Sequence, residues 1–338
     1  MRLVITGAAG FIGFHLTKLR LEEGDSVIAI DNLNDYYDVN LKLARLNQLK
    51  AYPNFLFYQA DLADALTIKE IFAKHQPHRV VNLAAQAGVR YSFSHPQSFV
   101  HSNLVGFSTL IEACRTYQVE HFVYASTSSV YGANESQPFK ESDATNHPLT
   151  IYAATKKANE LIAHSYSNLF QLPTTALRFF TVYGPWGRPD MAFFSFTRDI
   201  LAGKTIKIYN QGQMQRDFTY IDDIVAGISR AIDKPAQSDP NWSAAKPNAA
   251  TSYAPYKIYN LGSGNSVNLL DYIEALENTL GKTAIKEFLP MQAGDVLSTH
   301  ADTKLSNLEL GYLPSTQFKE GIEKFVVWYQ DFYKGELR

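Results

Sequence analysis

The sequence is poor in the residues that crosslink secreted proteins or anchor chains in membranes. It contains one cysteine, Cys114, so no disulfide can form within the chain and a reducing compartment is expected. No stretch of about 18 apolar residues is present, so we expect no membrane-spanning helix. Three glycines interrupt the N-terminal apolar residues, which is unlike a secretory signal. These absences predict a cytoplasmic protein.

Charge and metal-ligand patterns are also weak. The formal net charge is −2 at pH 7, which provides no basic surface for nucleic acid or an acidic membrane. The nine histidines lack the paired spacing of a metal site, so no metal is expected. With 46% hydrophobic and 19% charged residues, the chain is expected to be globular, and its function must be sought in local motifs.

Short β-rich runs alternate with helical patterns through the first 180 residues. Strands are expected at 2–6, 26–31, 54–59, 79–83, 121–125 and 174–179, and helices at 11–23, 66–75, 97–117 and 151–170. This alternation predicts an α/β protein with a doubly wound parallel Rossmann sheet in residues 1–180, completed by chain crossing back from the C-terminal half. Residues 181–338 are expected to form mainly a smaller, interleaved α/β substrate lobe. Within it, 233–255 is interpreted as a surface excursion.

A glycine-rich turn lies between the first strand and the first helix. Gly7, Gly10 and Gly13 surround Phe11 and Ile12 in a GxxGxxG arrangement. Glycine permits a tight turn and close approach of backbone to a pyrophosphate, and the N–H groups of the helix start face its charge. The strand–turn–helix context predicts a dinucleotide-binding loop.

Acidic residues follow the second and third strands. Asp31, with Asn32, stands about twenty residues past the loop, where a carboxylate binds the two ribose hydroxyls of NAD and repels the 2′-phosphate of NADP. The alternative for this pair is an ordinary polar strand end. Asp61 follows the third strand, where a carboxylate can meet the adenine amino group. From spacing alone, an N-cap for the next helix is equally supported there.

Tyr152 and Lys156 form a YxxxK pair at the head of a helix, on one face. A lysine charge lowers the pKa of a neighbouring phenol and makes it a usable general base, and Lys156 can also bind the nicotinamide ribose. Thr127 follows the fifth strand, at the sheet edge where ligands bind, and is expected to hydrogen-bond the reacting oxygen. A turn or helix cap is the alternative for this hydroxyl run.

These motifs together resemble the extended short-chain dehydrogenase/reductases that act on nucleotide sugars. The resemblance spans the whole chain and includes NLAA at 82–85, STSSVYG at 126–132, LRFFTVYGP at 177–185 and QRDFTYIDD at 215–223. Within that group the chain is most similar to the UDP-glucuronate 4-epimerases. The similar stretches are DNLNDYYDV at 31–39, QAGVRYS at 86–92 and PMQAGDV at 290–296.

The resemblance implies an isomerase with a tightly bound NAD, serving polysaccharide biosynthesis. Tyr152 takes the proton of the sugar 4-hydroxyl, a 4-keto sugar turns in the pocket, and reduction from the opposite face gives the epimer. It also implies that the cofactor is lined by Leu62, Leu83, Ala84 and Ala85. A UDP-sugar is the expected partner, and many enzymes of the group are homodimers, which would pair the helices 97–117 and 151–170.

A 4-keto glucuronate is a β-keto acid, so an epimerase must restrain the carboxylate against loss of CO₂. Ser128, Ser129, Thr181 and Arg188 are the expected partners of this carboxylate, with a solvent-facing loop arginine as the alternative for Arg188. Arg216 is expected to bind the pyrophosphate and Asp295 the uridine ribose. Relatives place an arginine where this chain has Gln292, and Arg90 is the candidate substitute.

The same residues distinguish a UDP-glucuronate epimerase from related enzymes of the group. The dehydratases of the group have Asp-Glu after the catalytic threonine and the decarboxylases have Thr-Ser-Glu, whereas this chain has Ser128-Ser129. An epimerase of UDP-glucose and UDP-galactose is the nearest alternative, and a UDP-glucuronate decarboxylase, a 4,6-dehydratase or a non-catalytic NAD-binding sensor are weaker ones. Phe193 and Phe194 are considered as walls for the uracil, with burial in the core as the alternative.

Overall fold

The computed structural model describes residues 1–292 and 294–335. In chain order its strands are β1 Arg2–Thr6, β2 Ser26–Asp31, β3 Phe55–Gln59, β4 Arg79–Asn82, β5 His121–Thr127, β6 Thr174–Phe179, β7 Thr181–Tyr183, β8 Thr205–Ile208, β9 Gln215–Tyr220, β10 Tyr256–Leu261, β11 Ser266–Asn268 and β12 Ile285–Phe288. The α-helices are α1 Phe11–Glu22, α2 Val39–Leu49, α3 Ala65–His75, α4 Tyr91–Ser94, α5 Pro96–Phe99, α6 Gly106–Thr116, α7 Ile151–Phe170, α8 Ala192–Leu201, α9 Ile221–Asp233, α10 Leu269–Leu280, α11 Lys304–Leu310 and α12 Phe318–Phe332.

The main sheet has the strand order β10-β6-β5-β4-β1-β2-β3, and every neighbouring pair in it is parallel. The order reverses beside β1, and the carboxyl ends of β1, β2, β4 and β5 therefore open onto one crevice, where ligands of such sheets bind. The predicted doubly wound parallel sheet is confirmed.

The sheet is covered on both faces, because successive residues of a strand point to opposite sides. In β1, Leu3 and Ile5 belong to the apolar cluster shared with α1 and α9, whereas Val4 belongs to the cluster shared with α3 and α6. All three side chains are fully buried. Near-continuous apolar runs thus form strands with two buried faces, as the sequence indicates.

The C-terminal half of the chain adds one strand to the main sheet and also forms two smaller sheets. Strand β10 pairs with β6 and forms one edge of the main sheet. Two smaller sheets, β11-β9-β7 and β12-β8, lie in the remaining part, with α8, α10 and α12 packed around them. Residues 234–255 contain no helix or strand in the described structure, while Asp233 is the last residue of α9. The surface excursion at 233–255 stays a prediction. No described helix is long and apolar enough to cross a bilayer.

Several local features differ from the sequence-based prediction. Helix α2 and strand β9 were not identified, since α2 begins with the β-branched Val39 and β9 is mostly polar. The helix expected at 97–117 is instead α5, a π-helical turn Val100–Val105 and α6 in succession. Such π-helical turns occur often at functional sites, and this one carries the buried Asn103.

Candidate active site

The glycine turn is dictated by contacts that a side chain would obstruct. Gly7 has φ +69°, and a Cβ there would lie 2.7 Å from the backbone nitrogen of Ala84. A Cβ on Gly13 would lie 2.0 Å from the carbonyl oxygen of Gly7. Gly10 is the N-cap of α1, and no described side chain caps this helix. The first helical turn therefore directs backbone N–H groups and the positive end of the helix dipole into the crevice.

Asp31 lies at the end of β2, directly beside this turn. Its carboxylate accepts hydrogen bonds from the backbone N–H groups of Ala9 (3.1 Å) and Leu33 (2.8 Å). Burial raises the pKa of the Asp31 carboxyl, while the N–H of Leu33 and the charge of Lys42 oppose this shift. A carboxylate has about four acceptor positions, so two remain for ribose hydroxyls.

Asp61 is not the cap of the following helix. The N-cap of α3 is Asp64, whose carboxylate accepts from the N–H groups of Leu66 and Thr67. Asp61 accepts instead from Asn32 Nδ2 (3.0 Å) and Ala63 N (2.9 Å), and its carboxylate lines the crevice with Leu62. The helix-cap alternative is therefore wrong, and contact of Asp61 with adenine stays a prediction.

Two cations near the cofactor end were not singled out from the sequence. Lys42 lines the crevice and donates to both oxygens of Asn34. Arg45 is fully buried and donates to the carbonyl of Ala9 in the glycine turn (2.8 Å). Sequence analysis does not single them out, because both lie on helix α2, one turn apart, and that helix is not predicted.

The three residues expected to do the chemistry meet at the end of β5. Helix α7 begins at Ile151, with Thr150 as its N-cap accepting from the N–H of Ala153 (3.1 Å). This start places Tyr152 and Lys156 on one face, toward the crevice. The side chain of Thr127 lies close enough to Tyr152 to lower the pKa of its phenol. Thr127 Oγ1 also accepts a hydrogen bond from the N–H of Ser129 and so caps a short 3₁₀ turn. Thr127 is therefore both a helix cap and a neighbour of Tyr152.

The origin of the Tyr152 acidity differs from the sequence-based expectation. Burial raises the pKa of Tyr152, whereas the side chain of Thr127 and the positive charge of Arg188 lower it. Lys156 was expected to provide this effect. Its ammonium instead donates to the carbonyl of Ala125 (2.8 Å), and burial lowers its own pKa to about 8. In the protein alone, Thr127 and Arg188 are the groups that favour the phenolate.

Ser128, Ser129 and Thr181 line the same crevice as Tyr152, together with Arg188 from the loop after β7. Arg188 lies close enough for its charge to lower the pKa of Tyr152. The Arg188 guanidinium pairs with Asp190 through two contacts, Nε to Oδ1 (3.0 Å) and Nη2 to Oδ2. Arg188 thus faces the crevice rather than solvent, and the solvent-facing alternative is wrong.

Three further predicted residues lie together at the other end of the crevice. Arg90 Nη2 contacts Asp295 Oδ2 at 3.1 Å, and its guanidinium lies 4.8 Å from the ring centroid of Tyr209. Arg216 donates to the carbonyls of Gln215 (2.8 Å) and Leu297 (3.2 Å), and burial lowers its pKa. The chain brings Arg90, Arg216 and Asp295 together from distant positions, at the place expected for a nucleoside diphosphate.

The aromatic pair Phe193 and Phe194 is part of the core. Their side chains are 3% and 4% exposed, and Phe193 packs against Tyr183 and Tyr272. The crevice is lined instead by Phe196, one helical turn further along α8. The uracil-wall interpretation of Phe193 and Phe194 is wrong.

The predicted cofactor-binding, catalytic and substrate-binding residues all border one cavity of about 770 Å³. It extends from the glycine turn, past Leu83, Ala84 and Ala85, to Thr127 and Tyr152, and on to Arg216 and Asp295. The glycine cradle, the uncapped helix start and the buried Asp31 fit a dinucleotide such as NAD. Among the described residues, no cluster of histidine, cysteine, aspartate or glutamate could hold a metal ion.

Comparison with known proteins establishes the family. Residues 3–262 match the NAD dependent epimerase/dehydratase family, and the chain belongs to that family. Protein CapI of Staphylococcus aureus is 51% identical over 334 residues, which cover 99% of this chain and 100% of that protein. UDP-glucuronate 4-epimerase 4 of Arabidopsis thaliana is 46% identical over 341 residues, covering 99% and 77% respectively.

A solved structure shows the same architecture. The crystal structure of UDP-glucuronic acid 4-epimerase from Bacillus cereus, in complex with UDP-glucuronic acid and NAD, is 32% identical and has a TM-score of 0.88. The similarity covers 98% of this chain and 100% of that chain. The family expected from the sequence motifs is thereby confirmed, with NAD as its cofactor.

Proposed function

We propose that this chain interconverts UDP-glucuronate and UDP-galacturonate by epimerisation at C4, through a 4-keto intermediate and without loss of the carboxylate. Arg188 supports this most directly. Its charge acts on Tyr152, and it lines the same crevice as the hydroxyl residues Ser128, Ser129 and Thr181. A neutral hydroxymethyl group at C6 requires no guanidinium, whereas a carboxylate is well matched to one.

Tyr152 is the proposed general base. Its phenolate removes the proton of the 4-hydroxyl as C4 is oxidised, and the phenol returns the proton when C4 is reduced. Thr127 holds the reacting oxygen and, through its side chain near Tyr152, lowers the pKa of the phenol. Lys156, one turn along α7, lines the same cavity and would bind the nicotinamide ribose and position it.

NAD would supply the acceptor for the hydride of C4, and the reduced cofactor would supply the hydride that returns. Gly7, Gly10 and Gly13 would hold its diphosphate, and Asp31 would bind its ribose. Asn32, Asp61, Leu62 and the 83–85 segment would enclose its adenosine and nicotinamide ends. Because the cofactor is regenerated in each cycle, we expect it to stay bound through many turnovers.

The UDP group anchors the substrate while the sugar turns. Arg216 and Arg90 are the proposed diphosphate partners, and Asp295 is the proposed partner of the uridine ribose. In the structure Arg90 and Asp295 neutralise each other at 3.1 Å. A diphosphate would compete with Asp295 for Arg90 and leave the carboxylate oxygens of Asp295 for the ribose hydroxyls.

The deciding experiment is an NMR time course of the purified protein with UDP-glucuronate and no added NAD. Appearance of UDP-galacturonate without a UDP-pentose supports the epimerase, the retained cofactor and the protected carboxylate together. A UDP-pentose or a UDP-4-keto-pentose as the main product would assign a decarboxylase instead. Conversion of UDP-galactose but not of UDP-glucuronate would transfer the assignment to the neutral sugar.

We further propose a cytoplasmic homodimer. Helices α6 and α7 pack side by side, and α7 presents the exposed apolar residues Leu161, Leu169 and Phe170 to solvent. Val105, in the π-helical turn that leads into α6, is also exposed. Exposed apolar residues along two neighbouring helices are a natural surface for a second copy of the chain.

A further inference from the structure

The loop that carries Arg188 is fastened to the cofactor-binding half of the chain. His15 Nε2 contacts the carbonyl of Pro185 at 2.9 Å, from helix α1. Arg45 Nη2 donates to the carbonyls of Trp186 (2.6 Å) and Gly187 (3.3 Å), while its Nη1 donates to the hydroxyl of Tyr37. The base of the loop is therefore fixed by α1 and α2, which also build the dinucleotide site.

The tip of the same loop is fixed by the neighbouring tyrosine. Tyr36 donates its hydroxyl proton to Asp190 Oδ2 (3.1 Å). The ring of Tyr36 packs on Tyr91 with a centroid distance of 4.8 Å, and a Cβ on Gly88 would lie 2.2 Å from the Tyr36 hydroxyl. Tyr36 therefore has little room to move, and its hydroxyl is aimed at Asp190.

Asp190 in turn determines where the guanidinium of Arg188 points. Its two oxygens take Nε and Nη2 of Arg188 in a bidentate pair. This arrangement fixes the plane of the guanidinium and leaves Nη1 as the edge available to a ligand. Burial raises the pKa of Tyr36, and the charge of Asp190 adds to this, so the hydroxyl remains a donor.

We propose that Tyr36 and Asp190 are positioning residues that aim Arg188 at the C6 carboxylate of the sugar and so protect the keto acid from decarboxylation. This proposal rests on the proposed function. It assigns no contact between Asp190 and substrate, since two like charges would repel. Asp190 acts through Arg188, and Tyr36 acts through Asp190.

The protected step is the loss of CO₂ from the 4-keto sugar. The bond between C5 and C6 breaks, its electron pair passes into the C4 ketone as an enolate, CO₂ leaves and C5 takes a proton. This requires the C5–C6 bond to stand parallel to the π orbitals of the ketone. A guanidinium held in one plane restricts rotation of the sugar into that alignment, whereas a freely rotating one does not.

The test measures product partition in Asp190→Asn and Tyr36→Phe by NMR, with UDP-glucuronate as substrate. We expect the ratio of UDP-pentose plus UDP-4-keto-pentose to UDP-galacturonate to rise at least fivefold in Asp190→Asn and less in Tyr36→Phe. In an Arg188→Ala background, Asp190→Asn should change the ratio no further, because the residue it positions is gone.

Matched controls separate this role from general damage. Asp199→Asn removes the partner of Arg198 in another arginine–aspartate pair, which lies on α8, and Tyr52→Phe removes a tyrosine–carboxylate hydrogen bond to Glu22. Both should leave the ratio unchanged. Folding is checked by near-UV circular dichroism, and Tyr36→Phe, which deletes one hydroxyl, serves if Asp190→Asn is unstable.

The outcomes are distinct. Slower turnover of both variants with an unchanged product ratio overturns the proposal while the epimerase assignment stands. An equal rise of the ratio in the Arg188→Ala background also overturns it, because Asp190 would then act independently of Arg188. If the unmodified protein does not epimerise UDP-glucuronate, the proposed function fails and this inference fails with it.

Discussion

The guanidinium of Arg178 and the carboxylate of Glu160 form a bidentate ion pair with no exposure of either side chain. The two contacts are 2.9 and 3.0 Å, and Ser126 donates to the same carboxylate at 2.7 Å. Glu160 stands one turn beyond Lys156 on the face of α7 that carries Tyr152, and Ser126 precedes Thr127 in β5. The ion pair therefore joins helix α7, which carries Tyr152, to β6, and the hydrogen bond from Ser126 joins the same helix to β5, which carries Thr127.

Glu160→Gln should destabilise the protein by about 3 to 5 kcal/mol, because it leaves a buried arginine without its counter-charge. Although burial opposes ionisation, the charge of Arg178 lowers the pKa of Glu160 to about 2, so the carboxylate is charged at neutral pH. Urea unfolding at pH 7 measures the change. The matched control is Glu112→Gln, which breaks a half-exposed pair with Arg115 and should cost under about 1 kcal/mol. Equal losses in the two variants would contradict the argument.

Gly13→Ala should reduce the amount of NAD that copurifies with the protein at least tenfold. The added Cβ would meet the carbonyl of Gly7 at 2.0 Å, and the turn must open to admit it. Gly335→Ala is the control, since no atom lies within 4 Å of the Cβ position there. Cofactor extracted from each denatured protein is quantified by absorbance. Full NAD content in Gly13→Ala would show that the turn is not the diphosphate cradle.

Arg188→Ala should lower kcat/KM for UDP-glucuronate at least tenfold and should release a UDP-pentose. A charge-assisted contact to the C6 carboxylate is lost, which costs about 1.5 to 3 kcal/mol. Any activity on UDP-galactose should change much less, since that sugar has no carboxylate. Parallel kinetics on both substrates check this. Equal losses on the two would exclude the carboxylate role of Arg188.

Stability should fall when the pH is lowered from about 6.5 toward 4. Burial lowers the pKa of His15 to about 4, and the charges of Arg45 and Lys18 act in the same direction against the contact with Pro185. Between these pH values the unfolded chain binds a proton that the folded chain does not, so the free energy of unfolding decreases on acidification. For a pKa shift of this size, the free energy of unfolding falls by about 3 kcal/mol in total on acidification.

Urea unfolding at several pH values should therefore give a shallower pH dependence for His15→Gln than for the unmodified protein. His121 offers an independent comparison, because burial also lowers its pKa to about 4. His121→Gln should remove a similar part of the dependence, and the double variant should remove both parts. Parallel curves for all four proteins would contradict this explanation.

Leu161→Glu should convert the proposed dimer into a monomer. Leu161 is 59% exposed on α7, and a carboxylate there would be buried without a partner when two copies meet. Leu308→Glu is the control, since Leu308 is 82% exposed on α11, which lies outside the proposed interface. Light scattering after size-exclusion chromatography gives the mass. A dimer that survives Leu161→Glu, or an unmodified protein that is monomeric, would refute the α6–α7 interface.

Local signals sufficed for the parts of this protein that depend on neighbouring residues. The apolar runs predict strands with two buried faces, which the sheet confirms. The GxxGxxG turn predicts a diphosphate cradle, and the YxxxK spacing predicts a base on one face of a helix. Asp31 and Tyr152 were found because their positions are defined relative to an element beside them in the chain. The resemblance to the nucleotide-sugar family, and not local physics, argued against the Asp-Glu and Thr-Ser-Glu chemistry at Ser128-Ser129.

Tertiary structure decided what depends on distant residues. Only packing could show that Arg188 is held by Asp190 and Tyr36, or that Arg90 meets Asp295 some 205 positions away. The same holds for the acidity of Tyr152, which in this structure depends on burial, Thr127 and Arg188 rather than on the adjacent Lys156. Charge, burial and hydrogen bonding act through space, and sequence spacing reports only those partners that one helix or one turn brings together.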